Sequence, residues 1–381
     1  MKNRNLYVVS VTILVSLLSL STWLYLLPLF LKDLGATDKN VGLSYTLFTL
    51  GGTGLQFLGG FWADRWGRKT VIVFPTYATA ILGILMGIVK IWWVVTLLYT
   101  LTAIFSSFQW PAFLSIIGES CENKERAFSI FEFSIVSGFA IGPLIGYFLL
   151  NFTDIRVLII GTGLIFLISA ITRHLFLYET LSERKSINLD LRRIFTDKVV
   201  TFLFGSVALY LLFSITINGP FITLHMKTFG LSDRKINLLI SFSTLFSLLV
   251  SILSAKLLKA EVLNKFFLVG ILMHGISTLI WSFVFPKTIN VFLLMISFGA
   301  VQMAFIAYNS IISRLSPELI RARTIGMIGT INGLVSSVGP YLGMVIKMHF
   351  GIQWTFFTGF LFGILSAVFF RNVPYPRVTS R

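Results

Sequence analysis

The sequence predicts an all-α membrane protein: twelve membrane-spanning helices arranged as two six-helix bundles. Three observations carry that reading. Of 381 residues, 56% are hydrophobic and only 12% charged, with mean hydropathy +0.87; a soluble chain carries about 25% charged residues. Apolar stretches of about 20 residues, the length that crosses a hydrocarbon core, recur from one end to the other. Short strings of the first half also return in the second at a nearly constant offset. This composition excludes a water-soluble enzyme and a disordered chain. The formal charge of +16 does not indicate nucleic acid, because the 31 Lys and Arg lie scattered between apolar runs with no aromatic-basic patch. The single cysteine, Cys121, excludes an internal disulfide framework and a cysteine metal cluster.

The spans follow in order. The first, 6–31, begins after Lys2 and Arg4; it is too long for a signal-peptide core and lacks a small-residue cleavage site, so it is expected to stay. The second, 41–62, ends before the basic run Arg65, Arg68, Lys69. The third and fourth, 70–89 and 91–118, are parted by Lys90. The fifth, 127–150, opens after Lys124 and Arg126, and the sixth is 155–177. One long charged connection, about 178–198, precedes the seventh, 199–225. The eighth to tenth are 236–257, 265–286 and 288–313; the eleventh and twelfth are 324–348 and 353–371. Backbone polar groups cannot go unpaired in lipid, so each stretch is a helix. The two termini and alternate connections hold 22 of the cations and the opposite connections 9. Cytoplasmic loops carry the excess, which places both termini in the cytoplasm of a multi-pass protein of the cell membrane.

The long connection divides the chain into bundles 1–178 and 199–381, with a cytoplasmic linker at 179–198 that can form a surface helix. The halves resemble each other. Leu34-Gly35-Ala36-Thr37-Asp38-Lys39 returns as Phe229-Gly230-Leu231-Ser232-Asp233-Arg234, an offset of 195. Gly142-Pro143-x-x-Gly146 returns as Gly339-Pro340-x-x-Gly343, and Arg126 as Arg323, both at 197. Two copies of six spans share one orientation, as in parallel-repeat transporters whose site lies between halves at the membrane midplane.

Between the second and third spans lies Gly60-Phe61-Trp62-Ala63-Asp64-Arg65-Trp66-Gly67-Arg68-Lys69, a tight turn reversed at Gly67 with one acid among three cations. It resembles the signature of the major facilitator superfamily, departing only at Trp62, where the family has Leu. With twelve spans and a duplicated half, the resemblance covers almost the whole chain. It implies that Asp64 meets the amino-terminal end of span eleven, near Arg323, where free N–H groups favour an anion. It also implies that Arg68 meets Glu119 at the end of span four, and that these contacts hold the cytoplasmic side closed. Gly138-x-x-x-Gly142-Pro143-x-x-Gly146 in span five resembles the family's antiporter motif, which implies a place at the interface between halves; Tyr147 replaces its final Gly. Read from the residues alone, the glycines are helix-packing positions. The arginine that proton-coupled exporters carry in span four is Tyr99 here.

Of the acids, only Glu132 lies inside a span, six residues into the fifth. An intramembrane acid is a functional hypothesis by default, and eleven residues set Glu132 and Pro143 on one helix face, so Glu132 is the candidate for proton coupling, against a structural or gating role. His274, mid-span in the ninth, reads as a packed, neutral core histidine. The family's cavity helices are one, four, seven and ten. They carry Ser19, Thr22 and Trp23; Thr102, Ser106, Gln109 and Trp110; Tyr210, Ser214 and Asn218; and Gln302 and Asn309. Together these describe a neutral cavity lined by aromatics and amides, without a fixed cation, which disfavours strongly anionic substrates.

Look-alikes fail: Gly67-Arg-Lys-Thr has Arg where a phosphate-binding loop needs Lys, and there is no His-Glu-x-x-His. The reading is a secondary transporter and not an enzyme. It moves a small molecule by alternating access and needs no cofactor or metal. Efflux of a neutral or weakly cationic amphiphile comes first, with protons as a candidate coupling partner. A sugar-like solute uniporter, symporter or facilitator is the alternative within the class, and a non-transporting receptor or scramblase the alternative outside it. The partners expected are the substrate and the lipid bilayer, no nucleic acid, and no second copy: a monomer.

Overall fold

Proline and glycine mark the breaks in the divided apolar runs, while Pro75, Pro111 and Pro143 are carried inside unbroken helices. In this computed structural model, which describes residues 2–120, 124–181, 197–257, 262–283, 287–315 and 321–371, every regular element is a helix. Eight predicted spans are single helices: α5 (Arg68–Ile88), α6 (Trp92–Ser120), α7 (Lys124–Leu149), α8 (Ile155–Phe176), α11 (Asp233–Leu257), α12 (Leu263–Phe283), α13 (Lys287–Leu315) and α16 (Ile352–Arg371). The other four are divided: α1 (Lys2–Ser21) from α2 (Leu27–Asp33), α3 (Asp38–Gly54) from α4 (Gln56–Trp66), α9 (Asp197–Ile215) from α10 (Phe221–Thr228), and α14 (Arg321–Ser336) from α15 (Val338–Phe350). The ring of a helical proline clashes with the carbonyl four residues back and supplies no N–H to it. Pro28 does this to Leu24, in the 3-10 turn Leu24–Leu26 after α1, and Pro340 to Ser336, where α14 stops. Gly219-Pro220 separates α9 from α10.

Among the described residues nine helical stretches are long and apolar enough to cross a membrane in one piece, and the second, seventh and eleventh predicted spans are each two shorter helices. The predicted surface helix in the linker falls at 182–196, outside the described residues.

The sequence repeat has a structural counterpart. Gly35 and Gly230 both take positive φ, +90° and +72°, each at the corner after a divided span. Six residues bracket each corner with one ion pair: Lys32 to Asp38 at 2.7 Å and Lys227 to Asp233 at 2.7 Å. Thr37 then caps α3 by accepting from the Asn40 N–H.

The chain forms two compact units. The first comprises Met1–Ile187 and Met226–Ser241. Within it α8 runs along α5 and α1, α1 along α7, and α6 along α5, α3 and α4. Its core joins Val9, Ile72, Phe113, Ile116 and Phe131. Hydroxyl pairs tie the helices together: Ser16 with Ser169 at 3.0 Å, Ser19 with Thr162 at 2.9 Å, and Ser44 with Thr96 at 2.6 Å. The early turns of α11 belong to this unit, where the Asn237 amide donates to the Thr22 carbonyl freed at the break after α1 (2.6 Å). The second unit comprises Asn188–His225 and Phe242–Arg381. There α12 packs on α13 and α16, and α16, α14 and α15 on α9, around Phe202, Phe267, Tyr308 and Phe370.

Helix faces are arranged as lipid requires. On α5, Phe74, Ile81 and Ile88 are exposed while Ile72, Thr76 and Thr79 are buried. Small and hydroxyl-bearing residues meet between helices, where close approach and hydrogen bonds replace the hydrophobic drive that lipid removes.

Candidate functional site

The turn between α4 and α5 builds a charged cluster. Gly67, at φ +101°, reverses the chain in a conformation that L side chains rarely adopt. Arg68 follows as the first residue of α5, and its guanidinium spreads across two carboxylates: Nη1 to Asp64 at 2.5 Å and Nη2 to Glu119 at 3.3 Å. The link expected between Arg68 and Glu119 is therefore present. The contact expected between Asp64 and the start of span eleven falls outside the described side chains. Arg65 is exposed, Lys69 is half-buried, and Gly60 lies against Pro111.

Sequence reasoning missed a further acid. Glu179 accepts from the backbone N–H groups of Arg68 (2.9 Å) and Lys69 (3.0 Å), and so caps the positive end of α5. Its carboxylate lies against Gly67, leaving no room for a side chain there. Thr180 donates to the other oxygen of Glu119 at 2.5 Å. Tyr178 joins Asn5 through two bonds and Arg4 through its hydroxyl. The segment after α8 thus straps α1, α5 and α6 together. Glu179 lies 111 residues from Arg68, and the only local sign of it was its presence in the charged connection.

The expected cavity residues of the first unit separate into two groups. Ser106 and Trp110 on α6 are exposed, and Thr102 is half-buried with its hydroxyl on the Tyr99 carbonyl. Trp23 is buried, and Gln109 is nearly so, with its side-chain oxygen engaged by neighbouring helices. Trp23 is 2% exposed because its indole N–H is held by Thr162 at 2.9 Å. Gln109 is buried because its side-chain oxygen accepts from Thr76 (3.2 Å) and Arg173 (3.4 Å). Arg173 also donates to Thr12 at 2.9 Å and Thr76 at 2.8 Å, and lies 4.9 Å from the Phe113 ring centre. Arg173 is thus a cation packed inside the first unit, among side chains of α1, α5 and α6. Tyr99, where exporters carry arginine, is buried and stacked on Phe48, ring centres 4.0 Å apart.

The glycine stripe of α7, expected at the interface between halves, receives α1 at Gly138 and Gly142 and also meets Asn237 of α11, from the second half of the sequence, at Gly146. A Cβ at Gly138 would lie 2.6 Å from that of Leu17, and one at Gly142 would lie 2.5 Å from the Leu18 carbonyl oxygen. Gly146 faces Thr22 and the Asn237 amide. Pro143 is buried and Glu132 exposed, so the two do not share an environment; Glu132 has no hydrogen-bond or ion-pair partner among the described residues.

In the second unit, Gly339 closes on Ser214 of α9 and Gly343 on Phe221 of α10, with Pro340 buried between them. His274 is a packed core histidine: Nε2 meets the Thr216 hydroxyl at 2.8 Å and Nδ1 the Ser297 hydroxyl at 2.9 Å. Tyr210 is half-buried beside Tyr308, ring centres 5.9 Å apart. Asn218 and Asn309 are exposed, and Gln302 reaches Ser251 at 3.5 Å. Sequence reasoning missed Asn332 on α14, fully buried, which donates to the Tyr308 hydroxyl (3.0 Å) and accepts from Ser206 (2.9 Å). An amide inside an apolar run was its signal. Among the described residues no group of His, Cys, Asp and Glu is placed to hold a metal.

Known proteins match this architecture along its length. The family model of the Major Facilitator Superfamily matches residues 9–218 and 202–380. A multi-drug resistance efflux pump PmrA homolog of Lactococcus lactis is 23% identical, the alignment covering 96% of this chain and 93% of that one. Multidrug resistance protein 2 of Bacillus subtilis is likewise 23% identical, covering 92% and 90%. Among solved structures, the nucleoside transporter NupG superposes with TM-score 0.77 at 16% identity, over 97% of this chain and 98% of that one. At that identity the likeness shows the fold alone.

Proposed function

The chain belongs to the major facilitator superfamily, and from that membership and the geometry above we propose that it exports a small amphiphile from the cell by alternating access. That it is a multi-pass membrane transporter of this family, a class distinct from enzymes, follows from the family match and the fold. Export is the finer reading. Its main support is likeness, over nine-tenths of the chain, to two bacterial proteins named for multidrug resistance. The side chains left exposed at the expected cavity positions agree with it: Ser106, Trp110, Asn218 and Asn309 are aromatic or neutral polar groups, suited to a flat apolar solute with a few hydrogen-bonding atoms.

In this reading both termini are cytoplasmic, and the Arg68 cluster belongs to the cytoplasmic gate. Arg68, Asp64 and Glu119 all belong to the first unit, so opening leaves them together, and charge changes there act on the balance of states through the way Arg68 holds Asp64. Glu132 is the proton-coupling candidate, since it is an intramembrane acid without a partner among the described residues. The test is uptake of ethidium into inside-out proteoliposomes holding the full chain, with and without an imposed pH gradient. Saturable, protein-dependent accumulation is expected. Flux equal to that of empty vesicles for ethidium and a panel of other amphiphiles would exclude export and favour a receptor or scramblase.

A further inference from the structure

Arg173 runs against the habit of its residue type. An arginine near the end of a membrane helix ordinarily extends outward to water. Arg173 stands three residues before the end of α8, yet its side chain is buried and turns inward. It reaches Thr76, eight residues into α5, and Gln109, eleven residues before the end of α6. At 1.5 Å per residue those positions lie about 12 and about 16 Å from the respective helix ends. Among the described residues no carboxylate meets the guanidinium; hydroxyls of Thr12 and Thr76, the Gln109 oxygen and the Phe113 face do. A cation buried without a counter-charge is costly, so its retention calls for a consequence beyond packing.

The consequence falls on Gln109. A guanidinium only donates, so the Gln109 atom facing Arg173 is the oxygen, and Thr76 approaches the same oxygen. That fixes the amide: its NH2 must turn away from Arg173. This nitrogen has no hydrogen-bond partner among the described residues, and it is not sealed from the surface, although the residue as a whole is nearly buried. Ser106, one turn earlier on α6, and Trp110, the next residue, are both exposed. An oriented, unspent donor thus lies next along α6 to a partly exposed ring whose inner side is near Phe131 (ring centres 5.9 Å apart).

We propose that Arg173 is a positioning residue of the solute site: it holds the Gln109 amide so that its NH2 donates to an acceptor oxygen, a carbonyl or carboxylate, of an aromatic solute lying against Trp110. The inference rests on the export reading and narrows it. Aromatic compounds with an acceptor oxygen on the ring system are preferred over aromatic cations that have none. Arg173 does not touch the solute; Gln109 and Trp110 do.

The experiment compares two probes in proteoliposomes of the full chain. Norfloxacin carries keto and carboxylate oxygens on its ring, and ethidium carries amines and no oxygen. KM is measured for both with the parent, Gln109→Ala, Arg173→Met and Arg173→Lys. The norfloxacin-to-ethidium KM ratio is expected to rise about tenfold or more in Gln109→Ala and Arg173→Met, the usual effect of losing one hydrogen bond in a desolvated site. Maximal norfloxacin rates should hold. Arg173→Lys, still a pure donor, should restore most of the ratio, and the double variant Gln109→Ala/Arg173→Met should be no worse than either single. An unchanged ratio overturns the proposal, as does a parallel loss for both probes, which marks a merely structural role. If Arg173→Met does not fold by thermal melting, Gln109→Ala and Arg173→Lys decide. If the parent moves neither probe, export has failed separately. Equilibrium binding of norfloxacin to parent and Gln109→Ala then decides: about tenfold weaker binding by the variant upholds the amide contact, and equal or no binding overturns it.

Discussion

Replacing Arg68 by methionine isolates what a single guanidinium does at the turn between α4 and α5. Its side chain is 10% exposed, and it bridges Asp64 and Glu119, whose side chains are 32% and 38% exposed. A fully buried pair broken on one side costs about 3–5 kcal/mol, and an exposed pair only about 0.2–1 kcal/mol. A sheltered cation between two acids about one-third exposed falls between, so we expect a loss of about 2 kcal/mol. Arg68→Lys should lose about half of that, because one compact ammonium cannot span both acids as the planar fork does. Each compact unit is about the size for which 1 kcal/mol moves the midpoint by about 2–4 °C. The methionine variant should therefore melt about 4–8 °C below the parent in detergent, and the lysine variant about 2–4 °C below. Combining Arg68→Met with Asp64→Asn and Glu119→Gln should recover part of the loss, since no acid is then left without its cation. Methionine and lysine variants that both melt with the parent would refute the reasoning, and so would a triple variant less stable than Arg68→Met alone.

Glu132→Gln should abolish the response of transport to an imposed pH gradient while leaving downhill exchange; undiminished accumulation under the gradient would return Glu132 to a structural role. Asn332→Leu removes one hydrogen bond from Tyr308 and one from Ser206, while Ser206 keeps the Leu203 carbonyl, and should cost about 0.5–1.5 kcal/mol for each bond lost, read as a lowered unfolding midpoint in urea. A Cβ at Gly59 would lie 2.5 Å from the Phe108 backbone, so Gly59→Ala must push α4 off α6, at about 1–3 kcal/mol by the usual scale of overpacking. A melting point equal to the parent's would show that α4 yields freely.

Sequence reading succeeded where chemistry is local in the chain. Apolar runs found the helices, whereas the link of Arg68 to Glu119, 51 residues away, was legible only through the resemblance of the turn to a family motif. Pro28 and Pro340 were visible too, but hydropathy averages across a break and joined α14 to α15. The misses share a cause: a side chain's direction is not written in its position. Arg173 stands within a turn of a helix end, the place of a cation that reaches water, and only packing shows that it points inward. Gln109 and Trp23 lie on the expected helices, yet neighbours from α8 claim the Gln109 oxygen and the Trp23 indole N–H. Glu179 acts on a helix end 111 residues away in the chain, beyond the reach of any periodicity. His274 was the easier case, because a lone histidine in an apolar run needs only two hydroxyls to satisfy it, and Thr216 and Ser297 supply them.

The hydroxyl pairs along α1 matter for how the chain sorts itself in lipid. To a hydrocarbon solvent one leucine-rich helix is as good a neighbour as another, so apolar contact hardly distinguishes correct alignment from a shift of one turn. Ser16 meeting Ser169 and Ser19 meeting Thr162 do distinguish it: slide α1 by a turn against α8 and both pairs break, with at most one re-formed as Ser19 on Ser169 or Ser16 on Thr162. These weak bonds act as alignment pins, and deleting one should yield a population of misaligned isomers rather than a uniformly softer protein. A single-site Ser16→Val variant would then refold to two species resolvable by gel mobility, each of them fully helical.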